Sequence, residues 1–356
     1  MPLFHSAPLT RAIEVVVRAG GSDEREARMV AQNLVLANLT GHDSHGVGMV
    51  PRYVESLLHG GLVVNEHPQV TFDGGAMLAL DGRKGYGQVI GHEAMELGIA
   101  RAKQHGMCVM GLGHAHHLGR IGQWAEQAVA AGLISLHFVN VLSRSIVAPY
   151  GGADARFGTN PMTVGIPVPG EPPFILDMAT SAVAQGKIRL AHNRGEQASP
   201  EWLLDDHGNP TSDPRYGVIP PWGALRTFGL HKGYGLAVVC ELLGGALTGG
   251  GTWHTADRSQ KRVWNGMLTI LIDPQRLGTG DAFAAETTAF IEWLREAPTA
   301  PGFDAVRIAG EPERETRARR EREGIVVDET TWAEIIAAGA KLGVGAESIV
   351  RIACGV

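Results

Sequence analysis

Cysteine is scarce in this sequence: Cys108, Cys240 and Cys354 are its only three, far apart and odd in number, which excludes a disulfide framework or a cysteine-rich zinc site. A reducing, cytoplasmic setting is the expectation. Long apolar runs are missing as well. No segment reaches the roughly 20 residues that a bilayer helix needs. The start, Met1-Pro2-Leu3-Phe4-His5, has no basic region followed by an apolar core, so neither export nor membrane insertion is expected. Charge of one sign is not in excess: 31 Lys and Arg against 37 Asp and Glu leave −6, which attracts neither nucleic acid nor an anionic membrane. A small-molecule partner remains. Two nucleotide fingerprints are also absent. The nearest approach to Gly-x-Gly-x-x-Gly is Gly111-Leu112-Gly113-His114-Ala115-His116, with histidine where the third glycine belongs, and Lys187 and Lys232 lack the glycines of a P-loop.

What is present is an ordinary globular composition, 44% hydrophobic and 19% charged, over 356 residues with 48 glycines. That length predicts two lobes or one elaborated α/β domain. Helical spacing runs from Leu9 to about Arg18, breaks at Gly20-Gly21, and resumes after Ser22 as the expected cap, with Asp23 and Glu24 in the first turn. It returns from Val50 to Leu58 and stops at Gly60-Gly61. Short apolar runs at Met77–Leu80, Met107–Leu112, Leu133–Val141 and Met162–Val168 predict strands of a mixed sheet, with helices at Gly91–Gln104 and Ile121–Ala131 between them. Asn193–Pro221 predicts surface loop, and a helix follows His231. The charged run Glu313–Glu323 predicts a solvated helix face without function. Residues 1–70 and 286–356 are expected to form a mainly helical region, and 71–285 a central α/β region.

Four segments could carry chemistry. In Asp43-Ser44-His45-Gly46 the histidine can exchange a proton near neutral pH, and the serine could orient its ring; a helix cap explains the same residues. In His114-Ala115-His116-His117-Leu118-Gly119-Arg120, ahead of a helix at Ile121, a glycine, a cation and free N–H groups suit a pyrophosphate; a metal site and a structural cluster are the alternatives. Arg156 to Pro161 and Phe174 to Ser181 have the composition of ligand-lining strand ends, or of an ordinary hairpin. In His231-Lys232-Gly233-Tyr234 a cationic pair opens a helix, against its dipole unless an anion binds there.

In this order the segments resemble the type-2 malate/L-lactate dehydrogenase family. The likeness rests on Asp43 to Val47, His116-His117-Leu118-Gly119, Phe157 to Pro161, Leu176 to Ser181 and His231 to Tyr234, and thus spans nearly the whole chain. Within the family it is greatest to the hydroxycarboxylate dehydrogenase B branch, through His116-His117-x-Gly119-Arg120-Ile121-Gly122 and Gly310-Glu311. The resemblance implies a non-Rossmann α/β fold: a mainly antiparallel cofactor-binding sheet plus a helical region built from both termini. It implies a homodimer, and hydride transfer between a small 2-hydroxy acid and its 2-oxo acid, with NAD or NADP as cofactor, NAD the favoured one. His45 would be the proton donor or acceptor, Ser44 its relay and His117 a further polar group at the catalytic site. Cofactor contacts would fall to His45, Gly119, Arg120, Ile121, Leu176, Asp177, Met178, Ala179, His231, Asn265, Gly310, Glu311, Pro312 and Glu313, and no metal is implied.

Substrate contacts are expected from Arg52, Met49, Thr159, Gln185 and Gly186. Many relatives have arginine where this chain has Met49, so Arg52, one turn on, is the expected carboxylate partner. The rival functions are reduction of a cyclic imino acid, a metal hydrolase using His114, His116 and His117, and a non-catalytic ligand-binding relative.

Overall fold

The computed structural model describes residues 2–254 and 261–355. A short strand β1 (Leu3–Phe4) precedes helices α1 (Ser6–Ala19), α2 (Glu24–Leu39) and α3 (Val50–Leu58). Leu9, Ile13, Val16 and Val17 of α1 fall three and four apart, which puts them on one buried stripe. Asp23, not Ser22, caps α2, its carboxylate accepting from the Glu26 N–H, because the Ser22 hydroxyl is turned to donate to the Glu26 side chain.

The central region follows as β2 (Gln69–Asp73), β3 (Met77–Asp81), α4 (Gly87–His105), β4 (Met107–His116), α5 (Gly122–Ala130), β5 (Ile134–Leu142), β6 (Met162–Ile166) and β7 (Phe174–Met178). Next come α6 (Gln185–Arg194), β8 (Leu203–Leu204), β9 (Ala224–Leu225), α7 (His231–Cys240) and β10 (Trp264–Ile272). The chain closes with α8 (Gly280–Arg295), α9 (Glu311–Glu323), β11 (Ile325–Val326), α10 (Glu329–Lys341) and α11 (Ala346–Ala353).

Seven strands form one sheet in the order β2-β3-β4-β10-β5-β6-β7, and only the β3/β4 pair is parallel. This is the mainly antiparallel α/β architecture that the resemblance implied. Ile90 and Met95 of α4 and Trp124 of α5 pack on Met110, Leu112 and Met267 of β4 and β10. A separate core joins the two ends of the chain: Leu9, Ile13, Leu34 and Tyr53 meet Ile335 of α10 and Ile349 of α11. Ile291 of α8 packs elsewhere, with Val168 and Ile308 on the sheet side.

The segment expected as surface loop, Asn193–Pro221, is partly interior. Ala198 and Leu203 join a core with Ile188 of α6, a helix that the spacing of apolar residues did not announce. Burial of those few apolar side chains holds an otherwise irregular stretch beside the cleft described next.

Candidate active site

Asp43 to His45 form a single tight helical turn between α2 and α3. Buried Asn38 fixes it: its amide donates to Asp43 Oδ1 at 2.7 Å and accepts the Val47 N–H at 2.8 Å. Ser44 Oγ lies 3.0 Å from His45 Nδ1. The His45 ring stacks on that of His117, centroids 5.5 Å apart and planes within 12°. His117 sits just beyond β4, where Leu118 N–H donates to Asn265 Oδ1 of β10 at 2.8 Å.

Two residues not singled out from the sequence complete this group. Tyr53, on α3, has its hydroxyl 2.7 Å from His117 Nδ1, and Gln88 Nε2 donates to the same hydroxyl at 2.8 Å. Burial raises the Tyr53 pKa far above its ordinary value, so the phenol keeps its proton. With Gln88 as donor to the oxygen, that proton goes to His117 Nδ1 and the ring hydrogen stays on Nε2. The signal for Tyr53 was its place in the apolar stripe Val50, Tyr53, Val54, since a buried phenol needs a partner. Tyr53→Phe removes the tautomer lock and leaves the Gln88 amide without its acceptor. The expected result is a fall in kcat of about tenfold and a loss of about 1–3 kcal/mol in stability, read by steady-state rates and denaturant unfolding.

Burial sets the protonation of these rings. It pushes His45 down to about 4, with His42 and Arg120 adding to the fall and Asp177 opposing it. His117 is driven well below 6.5 by burial and then by His45, His116 and Arg52. Fully buried His116 and His137 are each held at about 3, mainly by burial. The unfolded chain takes up protons below pH 6.5 that the fold refuses until near 3, so stability is lost as pH falls through that window. Each of these two rings removes about 1.4 kcal/mol per pH unit there, out of a usual total of about 5–15 kcal/mol. A steep fall of the thermal midpoint between pH 6.5 and 4.5 is expected; a flat profile would contradict these assignments.

A group of cations centred on Arg52 acts on His116 and His117. Arg52 Nη1 donates to Ser143 Oγ at 3.0 Å, and burial lowers its guanidinium pKa, Glu55 opposing and Arg189 reinforcing. Arg144, missed in the sequence along with Arg189, stacks 4.0 Å over Trp222 and donates to Gly217 O at 3.2 Å. Gln185 Nε2 reaches the same carbonyl at 3.4 Å. Gly186 packs on Ser44 so closely that a Cβ there would lie 3.1 Å from the Ser44 Cβ. Glu55 is the carboxylate that acts on Arg52, and Asp328 the one that feels Arg189. Of the other expected substrate contacts, the Thr159 carbonyl accepts the Thr180 N–H, and Met49 packs against the terminal helical core.

Of the residues expected at the cofactor, Arg120 and Asp177 act on His45, and Glu313 lies by His42 of the same turn. Gly119 and Gly310 have φ of +72° and +94°, and Gly310 abuts Ile175 of β7. Leu176, Asp177, Met178 and Ala179 are half-buried between them. Arg120 Nε has no partner among the described residues. Bare glycine backbone, half-buried apolar side chains and an unsatisfied guanidinium N–H fit a dinucleotide. The helix start after Ile121 does not present free donors as expected: Gly122 N–H already donates to Asp177 Oδ2 at 2.8 Å, and Arg120 pairs with Glu126 at 2.6 Å. An internal carboxylate thus answers that helix dipole. The Asn265 amide donates to Asn140 O as well as accepting from Leu118. His231 lies edge-on to Tyr150, centroids 5.9 Å apart, while Phe228 just before it donates to Thr180 O.

The charged helix α9 is more than a solvated face. Glu311 accepts from Arg295 and from the Ile308 N–H, Glu313 Oε1 lies 3.5 Å from His42 Nε2, and Arg320 pairs with Asp43. Pro312 occupies its first turn. The three histidines of the metal alternative do not converge: His114 pairs with Asp81, His116 lies edge-on to Tyr53 and Tyr86, and His117 takes the Tyr53 hydroxyl. Among the described residues no group of three or more His, Cys, Asp or Glu is placed to hold a metal.

Comparison with known proteins gives mostly hydroxy acid dehydrogenases, with a Delta(1)-pyrroline-2-carboxylate/Delta(1)-piperideine-2-carboxylate reductase of Pseudomonas putida also among the relatives at 33% identity. The family model of malate/L-lactate dehydrogenase matches residues 4–336. Hydroxycarboxylate dehydrogenase B of Escherichia coli strain K12 is 45% identical over 348 residues, covering 97% of this chain and 96% of the relative. An L-lactate dehydrogenase of Cupriavidus necator is 40% identical, covering 82% and 84%. A solved malate/lactate dehydrogenase structure from E. coli superposes with a TM-score of 0.95 at 44% identity, covering 99% and 98%.

Proposed function

The chain belongs to the malate/L-lactate dehydrogenase family and is an oxidoreductase acting on hydroxy acids; from that premise we propose that it interconverts a small 2-hydroxy acid and its 2-oxo acid with His45 as the proton-exchanging group. The observation that carries this reading is the set Ser44, His45, His117 and Tyr53, hydrogen-bonded or stacked in sequence, with the Arg52 guanidinium acting on His117 and neighboured by Arg144 and Arg189. The nicotinamide cofactor that the family implies supplies hydride to the carbonyl carbon when bound, or takes it from the carbinol carbon. His45 gives the oxygen its proton in reduction and removes it in oxidation. Ser44 holds the ring through Nδ1, which leaves Nε2 for the substrate oxygen. His117, kept with its hydrogen on Nε2, is a second polar contact. Arg52 takes the carboxylate, with Arg144 available to a second acidic group or to a longer side chain.

NAD is favoured over NADP. The segment Gly310 to Glu313 brings the carboxylates of Glu311 and Glu313, which would oppose the 2′-phosphate of NADP, and the Arg120 guanidinium nearby is paired with Glu126. A homodimer is supported by the exposed apolar Val239, Leu242 and Leu247 on and after α7. The reducing cytoplasm suits three unpaired thiols, and no described helix is long and apolar enough to cross a membrane.

The test is to add 2-oxo acids of graded side-chain length, and one cyclic imino acid, to the purified protein with NADH or NADPH and follow reduced-nicotinamide absorbance. Oxidation of NADH by 2-oxo acids is the expected result. Turnover of the imino acid alone would replace the hydroxy acid reading.

A further inference from the structure

Helix α9 buries no residue, yet it links the start of β7 to the turn that carries His45. At its start, the Ile175 N–H of β7 donates to Ala309 O and Gly310 lies against Ile175. Toward its other end, Arg320 forks onto Asp43, Nη1 to Oδ1 at 2.7 Å and Nη2 to Oδ2 at 3.0 Å, and Nη1 also donates to Asn38 O. Asn38 in turn grips Asp43 Oδ1 and the Val47 N–H on the two sides of His45. Thr316 packs at Gly41, where the left-handed backbone enters the turn.

We infer that Arg320 is a positioning residue for the dehydrogenase reaction: its two-point grip on Asp43, backed by the Asn38 carbonyl, holds the turn that presents His45. The inference rests on the reading of His45 as the proton-exchanging group. The pair joins residues 277 apart in sequence, so it ties a C-terminal helix to a turn near the N-terminus. A partly exposed ion pair contributes little to global stability. A shift of about 1 Å in a reacting group, by contrast, can cost up to a hundredfold in rate. The fork therefore matters to catalysis far more than to folding.

The experiment compares full-length Arg320→Ala, Arg320→Lys and Asp43→Asn, and the double variant R320A/D43N, with His45→Gln as the reference. For Arg320→Ala, kcat should fall about tenfold with little change in KM. The primary deuterium isotope effect with 4-deuterated reduced nicotinamide should rise, because hydride transfer becomes limiting. The thermal midpoint should stay within about 3 °C. Arg320→Lys should recover part of the rate, since an ammonium reaches one oxygen but cannot fork. The double variant should be no slower than Arg320→Ala alone. Unchanged kcat in Arg320→Ala beside an inactive His45→Gln would overturn this inference alone. So would a rate loss that tracks unfolding, gains nothing from lysine and adds fully to D43N. Full turnover in His45→Gln would bring down the reading of His45 and this inference with it.

Discussion

His45→Gln is expected to lower kcat by about a thousandfold in both directions, while titration of nicotinamide fluorescence shows the cofactor still bound. Glutamine keeps a polar, hydrogen-bonding side chain of similar reach in the place of the ring, but it cannot exchange a proton at any working pH. Ser44 would still have a partner at 3.0 Å or near it, so the turn should survive. Retained turnover would end the assignment. The pH profile supplies an independent check. Burial first, then His42, holds His45 near 4 in the free protein, so the ring is a neutral base at pH 7. The acid limb of kcat/KM for hydroxy acid oxidation, which reports the free enzyme, should then lie well below pH 6.5. In the reverse direction the ring must carry a proton, and the anionic substrate is what raises its affinity for one. Reduction should accordingly gain toward acid pH until the buried histidines 116 and 137 begin to unfold the chain.

What the sequence made legible was local. Asp43-Ser44-His45 reads as a helix-start motif because the glycines and the apolar spacing on either side are contiguous with it, and it folds as a tight turn there. The apolar run Met107–Leu112 was readable as a strand, though β4 runs on to His116, and the helix expected from Ile121 begins at Gly122. Long-range pairing was not. Tyr53 and His117 lie 64 residues apart, and nothing in either neighbourhood announces the other. Arg144 needed Trp222 and the Gly217 carbonyl before its position could mean anything. Arg320 looked like one charge among many on a helix where Arg317 and Glu321 do pair along the surface. Its difference is that Asp43 lies within its reach. The choice of Asp23 over Ser22 as cap turned on the Glu26 side chain, a competition that composition alone does not resolve. At Asp177 the sequence suggested a cofactor contact, and the fold adds that both its oxygens are engaged, by Gly122 N–H and Thr163 Oγ1.

Arg52→Ala is expected to reduce kcat/KM for 2-oxo acids by about a hundredfold, carried mostly by KM, which corresponds to the roughly 1.5–3 kcal/mol of a hydrogen bond to a charged group. The reasoning is electrostatic. Arg52 is exposed, has Arg144 and Arg189 as like-charged neighbours and Glu55 as the opposing charge, and donates to the Ser143 hydroxyl at 3.0 Å. Two like-charged neighbours make the place beside that guanidinium favourable for an anion. A substrate carboxylate is the anion the reaction provides, and its two oxygens match the guanidinium fork. Arg52→Lys should therefore recover only part of the loss, because the ammonium is a point charge. An analogue with an alcohol in place of the carboxylate separates this role from a structural one. If Arg52 binds carboxylate, that analogue should react slowly and equally with the native protein and with Arg52→Ala. Should the variant leave KM for 2-oxo acids unchanged, the carboxylate belongs to Arg144 instead, and Arg144→Ala should then show the loss. The two arginines also predict different dependence on substrate length. Loss of Arg52 weakens every 2-oxo acid alike, since all share the carboxylate beside the carbonyl, whereas loss of Arg144 weakens only those whose side chain reaches toward Trp222.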